Sequence, residues 1–200
     1  MANGDFPESA EALDLLRCAD NIVCCDGAID KMLAHGFTPT VIVGDLDSMK
    51  SETKERFKDI LFQDKSEDYN DLQKALKYCQ QQDIDHVVLL GCAGLRDDHF
   101  IANISIMATY AEQMDLVIMT DYGLFNAICE TTTLESVPGQ QVSVFSKNEN
   151  LPLSFHGLKY PVEHRCFKHL WEGSLNEAKE NTFTIELHGE GVVVVYRNLR

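Results

Sequence analysis

Apolar and polar positions change their rhythm once along this chain, near residue 122. Before that point, stretches with helical spacing alternate with short continuous apolar runs. Residues 8–17 carry Leu13 and Leu16 one turn apart, and Asn21 to Cys25 follows as a short strand ending in Asp26-Gly27. Residues 28–35 read as helix, and Thr40 to Val43 as a second strand ending in Gly44-Asp45. Residues 69–82 place Leu72, Ala75, Leu76 and Cys79 on one stripe, the pattern of an amphipathic helix. His86 to Leu90 is a strand closed by Gly91. Residues 98–113 are a helix expected to turn Ile101, Ile104, Ala108 and Ala111 inward, and Leu116 to Thr120 is a further strand. Apolar strands alternating with helices predict a parallel sheet covered on both faces. Ligands of such sheets bind at the carboxyl ends of the strands, where Asp26, Asp45, Asp47 and Arg96 to His99 all fall.

Beyond residue 122 helical spacing largely stops. Gln141–Phe145, Leu153–Phe155, Phe183–Leu187 and Val192–Tyr196 are β-rich, divided by Pro138-Gly139, His156-Gly157 and Gly189-Glu190-Gly191. The expected fold class is therefore α/β: an N-terminal parallel-sheet α/β/α domain over residues 1–122, then a small all-β sandwich or barrel over 123–200.

Charge narrows the function. The 200 residues carry 17 Lys and Arg against 32 Asp and Glu, a net charge of −15. That disfavours nucleic acid as a partner, because phosphate neutralisation needs clustered cations. It leaves ATP open, provided a divalent cation stands between carboxylates and phosphates. The seven cysteines are odd in number and show neither zinc-ribbon spacing nor a secreted disulfide framework. Cys18, Cys24, Cys79 and Cys92 sit among apolar neighbours and read as small buried hydrophobes. With no leader-like N-terminus and no span-length apolar run, the expected location is cytoplasmic, away from membranes.

The chemistry concentrates in three places. Gly44-Asp45-Leu46-Asp47-Ser48 delivers two carboxylates from the end of a buried strand, a pairing suited to Mg²⁺ with substrate phosphates completing its shell; the alternative is a simple turn and helix cap. Glu67-Asp68-Tyr69-Asn70-Asp71 opens the 69–82 helix. There Asp71 is a candidate third carboxylate for the same cation, and Lys74, one turn on, is a candidate for the same site or a solvated helix lysine. Gly91 to His99 joins a strand to a helix, and its Arg96 offers a planar fork for phosphate beside a helix N-terminus. No Gly-Lys-Ser/Thr follows, so it is not a Walker A loop. His164, Cys166 and His169 read as surface strand residues. Cys92 as a nucleophile lacks any ordered histidine partner in the sequence.

Taken in order, these segments resemble the thiamine pyrophosphokinase family. The resemblance runs through Asn3-Gly4-Asp5-Phe6-Pro7, Cys25-Asp26-Gly27-Ala28, Gly44 to Ser48, Asp68 to Asp71, Gly94 to His99 with Asn103, Gly157 to Tyr160 and Gly173 to Glu177. It implies Mg²⁺-dependent transfer of a pyrophosphoryl group from ATP to thiamine. In that picture Asp45, Asp47 and Asp71 hold the metal. Asp26, Asp68, Asn70, Lys74, Arg96 and His99 lie in the nucleotide region, and Arg96 and Asp98 join the metal carboxylates as catalytic candidates. Asp71 and Asp98 are both candidates to take the hydroxyl proton. The resemblance also implies a homodimer with thiamine held between subunits, where Tyr160 stacks on the cation and Ser174 and Asn176 match the thiamine-side motif.

The chain departs from the family's pattern in four places. Only Met1 and Ala2 precede Asn3, where the family has a full strand; Leu95, Asn70 and Leu175 replace a glycine, a threonine and a serine. Two other functions compete: a phosphohydrolase with Asp45 as nucleophile, and a non-catalytic nucleotide or thiamine binder.

Overall fold

The structure, a computed structural model, describes residues 1–199 and divides into two compact units, Met1–Ile106 and Met107 onward.

In the first unit, α1 (Ala10–Cys18) starts at Ser9, whose hydroxyl accepts the Ala12 amide. Strand β1 (Val23–Cys25) leads through a 3₁₀ turn at Asp26–Ala28 into α2 (Ile29–Ala34), and β2 (Val41–Gly44) follows. Next come α3 (Ser51–Arg56) and β3 (Leu61–Gln63), neither of which has a strong period in the sequence. The unit continues with α4 (Asp71–Gln81) and β4 (His86–Leu89). Strands β1, β2 and β3 form a parallel sheet in that order, with Val23 beside Val41 and Ile42 beside Leu61. All four β2 residues are buried, as its unbroken apolar run requires. The predicted stripe on α4 is the buried one: Ala75 packs with Cys25, Val41 and Val43, while Leu72, Leu76 and Cys79 are also buried.

Helix α5 (Asp97–Tyr110) carries the chain into the second unit. There β5 (Asp115–Met119), β6 (Gly123–Ile128), β7 (Thr132–Glu135) and β8 (Gln141–Ser146) precede β9 (Pro152–His156) and β10 (Val162–Cys166). The short β11 (Asn176–Glu177), β12 (Thr182–Leu187) and β13 (Val193–Asn198) complete it. One sheet runs β10-β9-β12-β7; in the other, the strands run β11-β8-β13-β6-β5. Their inner faces supply one core: Val142, Val144, Val193 and Val195 from one, Leu153, Phe155, Phe183 and Ile185 from the other. These residues sit two apart along their strands, the alternation expected of a sandwich.

The strand expected at 116–120 is present as β5, and on one side it pairs antiparallel with β6, Val117 beside Asn126. An apolar run does not specify the direction of its neighbour. Two local expectations fail. Ile101 is 70% exposed, and α5 buries Met107 and Tyr110 instead. Cys18 is exposed because it ends α1 on the far side from Leu16, whereas Cys24, Cys79 and Cys92 are buried as expected.

Candidate active site

The carboxyl ends of β1 and β2 present two acidic segments, and α4 opens toward them. Asp26 lies at the end of β1 and is 3% exposed. Its Oδ2 accepts the Leu46 amide at 2.8 Å, which ties the turn after β1 to the turn after β2. Burial pushes its carboxyl up from the usual carboxylate range, the charge of Asp71 pushes it further, and Asp45 adds to it; the Leu46 bond opposes. Gly44, last residue of β2, makes room for this carboxylate. A Cβ there would fall 2.7 and 2.8 Å from its two oxygens.

Asp45 and Asp71 meet at Lys74. The ammonium lies 3.8 Å from Asp45 Oδ2 and 3.4 Å from Asp71 Oδ1, so those oxygens are no more than about 7 Å apart. The Lys74 side chain is only 4% exposed, while the two carboxylates are 45% and 44% exposed. The solvated-lysine alternative is therefore wrong: the aliphatic stem is buried and the ammonium is the countercharge of the acidic cluster. Asp71 is aimed by its helix. Asn70 caps α4, accepting the Gln73 amide at 2.9 Å while the Gln73 side chain accepts the Asn70 amide. Asn70 has a capping role here: its side chain bonds Gln73, and its carbonyl accepts the Lys74 amide at 2.9 Å.

Asp47 donates its amide to Asp45 Oδ1 at 2.9 Å, with Leu46 between them in the left-handed region at φ 69°. The ion pairs that join Asp45 and Asp71 through Lys74 do not extend to the exposed Asp47 carboxylate or to exposed Asp68. Among the described residues, no three His, Cys, Asp or Glu side chains converge to hold a metal by themselves. Two carboxylates still suit Mg²⁺, which keeps waters and takes substrate oxygens as ligands. Asp45 and Asp71 share one ammonium, so the pair retains negative charge for a cation.

Arg96, Asp98 and His99 form a second group at the start of α5. Arg96 makes a two-pronged bond to Asp98, Nε to Oδ1 at 2.9 Å and Nη2 to Oδ2 at 2.5 Å. Both side chains are 63% exposed. The guanidinium holds the Asp98 carboxyl down at about 2. His99 is exposed. No contact joins this group to the acidic cluster.

The loop before α5 is clamped from an unexpected direction. Gly4 donates to Gly91 O at 2.6 Å and Asp5 to Ala93 O at 2.8 Å. Gly94, at φ 77°, has no room for a Cβ because the Asp5 carboxylate fills that space. Lys31 Nζ donates to Asn3 O and Gly4 O at 2.8 and 2.7 Å. Lys31 has no periodic or motif signal in the sequence. Burial pushes the Cys92 thiol up to about 12, so it stays protonated and is no nucleophile.

In the second unit Tyr160 and Asn176 do come together. The buried Asn176 side chain acts as a strand partner, accepting the Tyr160 amide at 3.0 Å and donating to its carbonyl at 2.8 Å. The Tyr160 ring is left 59% exposed. Ser174 Oγ donates to Trp171 O at 2.6 Å, and Leu175 at φ 61° turns outward, 80% exposed. Trp171, 70% exposed and stacked against His169, lies beside Ser174 through that hydroxyl bond. His164 is an exposed residue of β10, as expected from the sequence; it lies at an irregularity of that strand, at φ 44°, with its ring tilted against that of His188.

Comparison with known proteins gives a consistent picture. The family model described as "Thiamin pyrophosphokinase, catalytic domain" matches residues 12–119, and "Thiamin pyrophosphokinase, substrate-binding domain" matches 123–196. Thiamin pyrophosphokinase 1 of Caenorhabditis elegans is 27% identical over 122 residues, which cover 56% of this chain and 50% of that protein. The chain thus aligns with about half the length of this curated relative. Among solved structures, the thiamine pyrophosphokinase of Bacillus subtilis superposes with a TM-score of 0.80 at 20% identity, covering 98% of this chain and 96% of that one. The Candida albicans enzyme gives 0.81 at 16% identity, covering 100% and 88%. An Enterococcus faecalis family protein gives 0.82 at 18% identity, covering 100% and 97%. At those identities the likeness is one of fold.

Proposed function

The chain belongs to the thiamin pyrophosphokinase family, and from that premise we propose that it transfers a pyrophosphoryl group from ATP to the hydroxyl of thiamine, giving thiamine diphosphate and AMP. The observation that carries this reading is the meeting of Asp45 and Asp71, from segments 26 residues apart in sequence, around the buried Lys74 at the carboxyl ends of the strands.

Asp45 and Asp71 would hold Mg²⁺, with Asp47, whose amide bonds Asp45, as the third carboxylate. When bound, the ion neutralises polyphosphate oxygens. Lys74 places a fixed positive charge at the same point and draws the polyphosphate to it. Asp26 buttresses the turn that carries Asp45. Arg96 exchanges its bond to Asp98 for phosphate oxygens, and the freed Asp98 or Asp71 accepts the hydroxyl proton. Asp68 and His99 line the nucleotide side, and Asn70 serves it indirectly by fixing the start of α4. Transfer of this kind depends on in-line positioning and charge neutralisation, and the chain need supply no covalent intermediate.

Thiamine meets Tyr160, whose exposed face offers cation–π attraction to a thiazolium, with Ser174 and Asn176 holding the local backbone. The exposed Leu170, Trp171 and Leu175 support a homodimer in which a second subunit covers this surface and shares the thiamine site. The boundary between catalytic and thiamine-binding domains lies at Tyr122–Gly123, supported by the gap between the two family matches. No helix among the described residues is long and apolar enough to cross a membrane. With net charge −15, this supports a cytoplasmic enzyme that binds neither membrane nor nucleic acid.

Incubation with ATP, Mg²⁺ and thiamine tests the proposal. AMP and thiamine diphosphate formed in equal amounts are expected. Inorganic phosphate released without thiamine marks a phosphohydrolase, and ligand binding without AMP marks a non-catalytic binder; either overturns the proposal.

A further inference from the structure

Lys31 extends from α2, the short helix that follows the Asp26–Ala28 turn. Its ammonium carries three protons, and three oxygens of two adjacent residues accept them: Asn3 O at 2.8 Å, Asn3 Oδ1 at 3.0 Å and Gly4 O at 2.7 Å. All three acceptors are neutral, so the bonds fix the course of residues 3–4 and do not cancel a charge. Burial pushes the ammonium below the usual lysine range, and the charge of Asp5 opposes that.

The segment that Lys31 holds lies between the two halves of the proposed site. On one side the Asn3 side chain packs on Gly27, where a Cβ would collide with Asn3 Nδ2. Gly27 follows Asp26, whose carboxylate accepts the Leu46 amide and so fixes the turn carrying Asp45. On the other side Gly4 and Asp5 donate to Gly91 O and Ala93 O, and the Asp5 carboxylate fills the space beside Gly94. Gly94 and Leu95 are consecutive left-handed residues, at φ 77° and 50°, and Arg96 follows with its amide bonded to Gly94 O at 2.5 Å. Leu95 carries the Cβ that this region disfavours and is 70% exposed, so its own packing does not hold it there. Such a conformation persists only where the surroundings impose it, and residues 3–5 are the surroundings that grip this loop. The acidic turn and the Arg96 loop are thus both seated on residues 3–5, and Lys31 fastens that segment to α2.

We propose that Lys31 is a positioning residue for the transfer reaction: by anchoring residues 3–4 to α2 it sets where Arg96 meets the polyphosphate relative to the acidic turn. It acts through that backbone and not on substrate. The proposal rests on the reading of Arg96 as a phosphate ligand. Its effect belongs in the rate, because transfer depends on geometry at the reacting phosphorus.

The test is a double-mutant cycle on the full chain. Steady-state formation of AMP and thiamine diphosphate is measured for Lys31→Met, Arg96→Ala and the pair, each checked for folding by circular dichroism. Lys31→Met is expected to lower kcat roughly tenfold to a hundredfold, the scale of a misplacement near 1 Å, with KM for thiamine unchanged. In the Arg96→Ala background the same substitution is expected to cost less than about twofold, because the group it positions is gone. Lys31→Arg, which keeps donors for the two carbonyls, is expected to stay within about threefold of the parent, the loss of one net hydrogen bond. Should Lys31→Met fail to fold, Asn3→Ala carries the same cycle: it removes one acceptor of the three, and a fall of about threefold that disappears in the Arg96→Ala background is expected. A cost that multiplies in full with that of Arg96→Ala overturns the proposal, as does near-parental kcat of Lys31→Met while Arg96→Ala is impaired. Near-parental kcat of Arg96→Ala overturns the reading of Arg96 and the proposal with it.

Discussion

Gly44→Ala isolates the packing that sets up the acidic cluster. Gly44 is not in the left-handed region, so alanine's backbone preference is no obstacle, and the substitution would ordinarily stabilise a strand by about 0.5–1 kcal/mol. The added methyl, however, lies 2.7 and 2.8 Å from the two Asp26 oxygens and closer still to Cγ. Asp26 has little room to yield, being 3% exposed and bonded to the Leu46 amide. Displacing it forfeits a charge-assisted hydrogen bond, about 1.5–3 kcal/mol, and overpacks the turn by about 1–3 kcal/mol. Net of the strand gain, a loss of roughly 2–4 kcal/mol is expected, a fall in Tm of about 5–15 °C for a chain of this size. Thermal unfolding followed by circular dichroism measures it. Asp26→Ala removes the atoms that the methyl strikes, so Gly44→Ala/Asp26→Ala is expected to be less destabilised than the sum of the single variants by about 1–3 kcal/mol. A fall under about 2 °C for Gly44→Ala, or strict additivity in the cycle, would refute the argument that Gly44 exists to accommodate Asp26.

Other expectations follow from the same contacts. Lys74→Met keeps the buried stem and removes the ammonium, leaving Asp45 and Asp71 to repel across no more than about 7 Å, roughly 2 kcal/mol before their exposure reduces it; stability should change by about 1 kcal/mol while turnover falls at least tenfold, and a variant that unfolds contradicts this. Asp26→Asn should stabilise the protein at neutral pH. The folded carboxyl is raised above its unfolded value, so its stabilising contribution is complete below the unfolded range near 3.8 and lost as pH rises; chemical denaturation at pH 3 and pH 7 checks that the advantage disappears at the lower value. Asp98 has the opposite sign. Held at about 2 by Arg96, it supports folding above pH 3.8 and loses that support as pH falls toward 2, so the stability difference between the parent and Asp98→Asn should vanish in that window.

Much of the architecture is written in the periodicity. The buried run of β2 and the stripe of α4 each impose one burial pattern, and the structure adopts both. The turn chemistry is equally local: Asp45 two residues from Asp47 directly after a strand marks a turn from spacing alone. What the sequence hides is tertiary. Nothing in the composition of α4 separates a buried Lys74 from a solvated one, because its burial depends on Asp45, which lies far away in the chain. The run at 115–119 is apolar whatever the direction of its neighbour, so its antiparallel pairing with β6 could not be read from it. Residues 51–63 form α3 and β3 on weak local signals, stabilised by pairing with β2. The role of residues 1–5 rests on main-chain bonds to Val23, Leu90 and Gly91, and main-chain bonds leave no mark on residue type.

The central claim is that Asp45 and Asp71 act together on one cation beside the polyphosphate. Steady-state formation of AMP and thiamine diphosphate by Asp45→Asn and Asp71→Asn, each shown folded by circular dichroism, tests it most directly. A loss of at least about a thousandfold in both variants is predicted, the scale seen when a preorganised electrostatic group is removed from a transfer site. Near-native turnover in either folded variant, at saturating Mg²⁺, would contradict it.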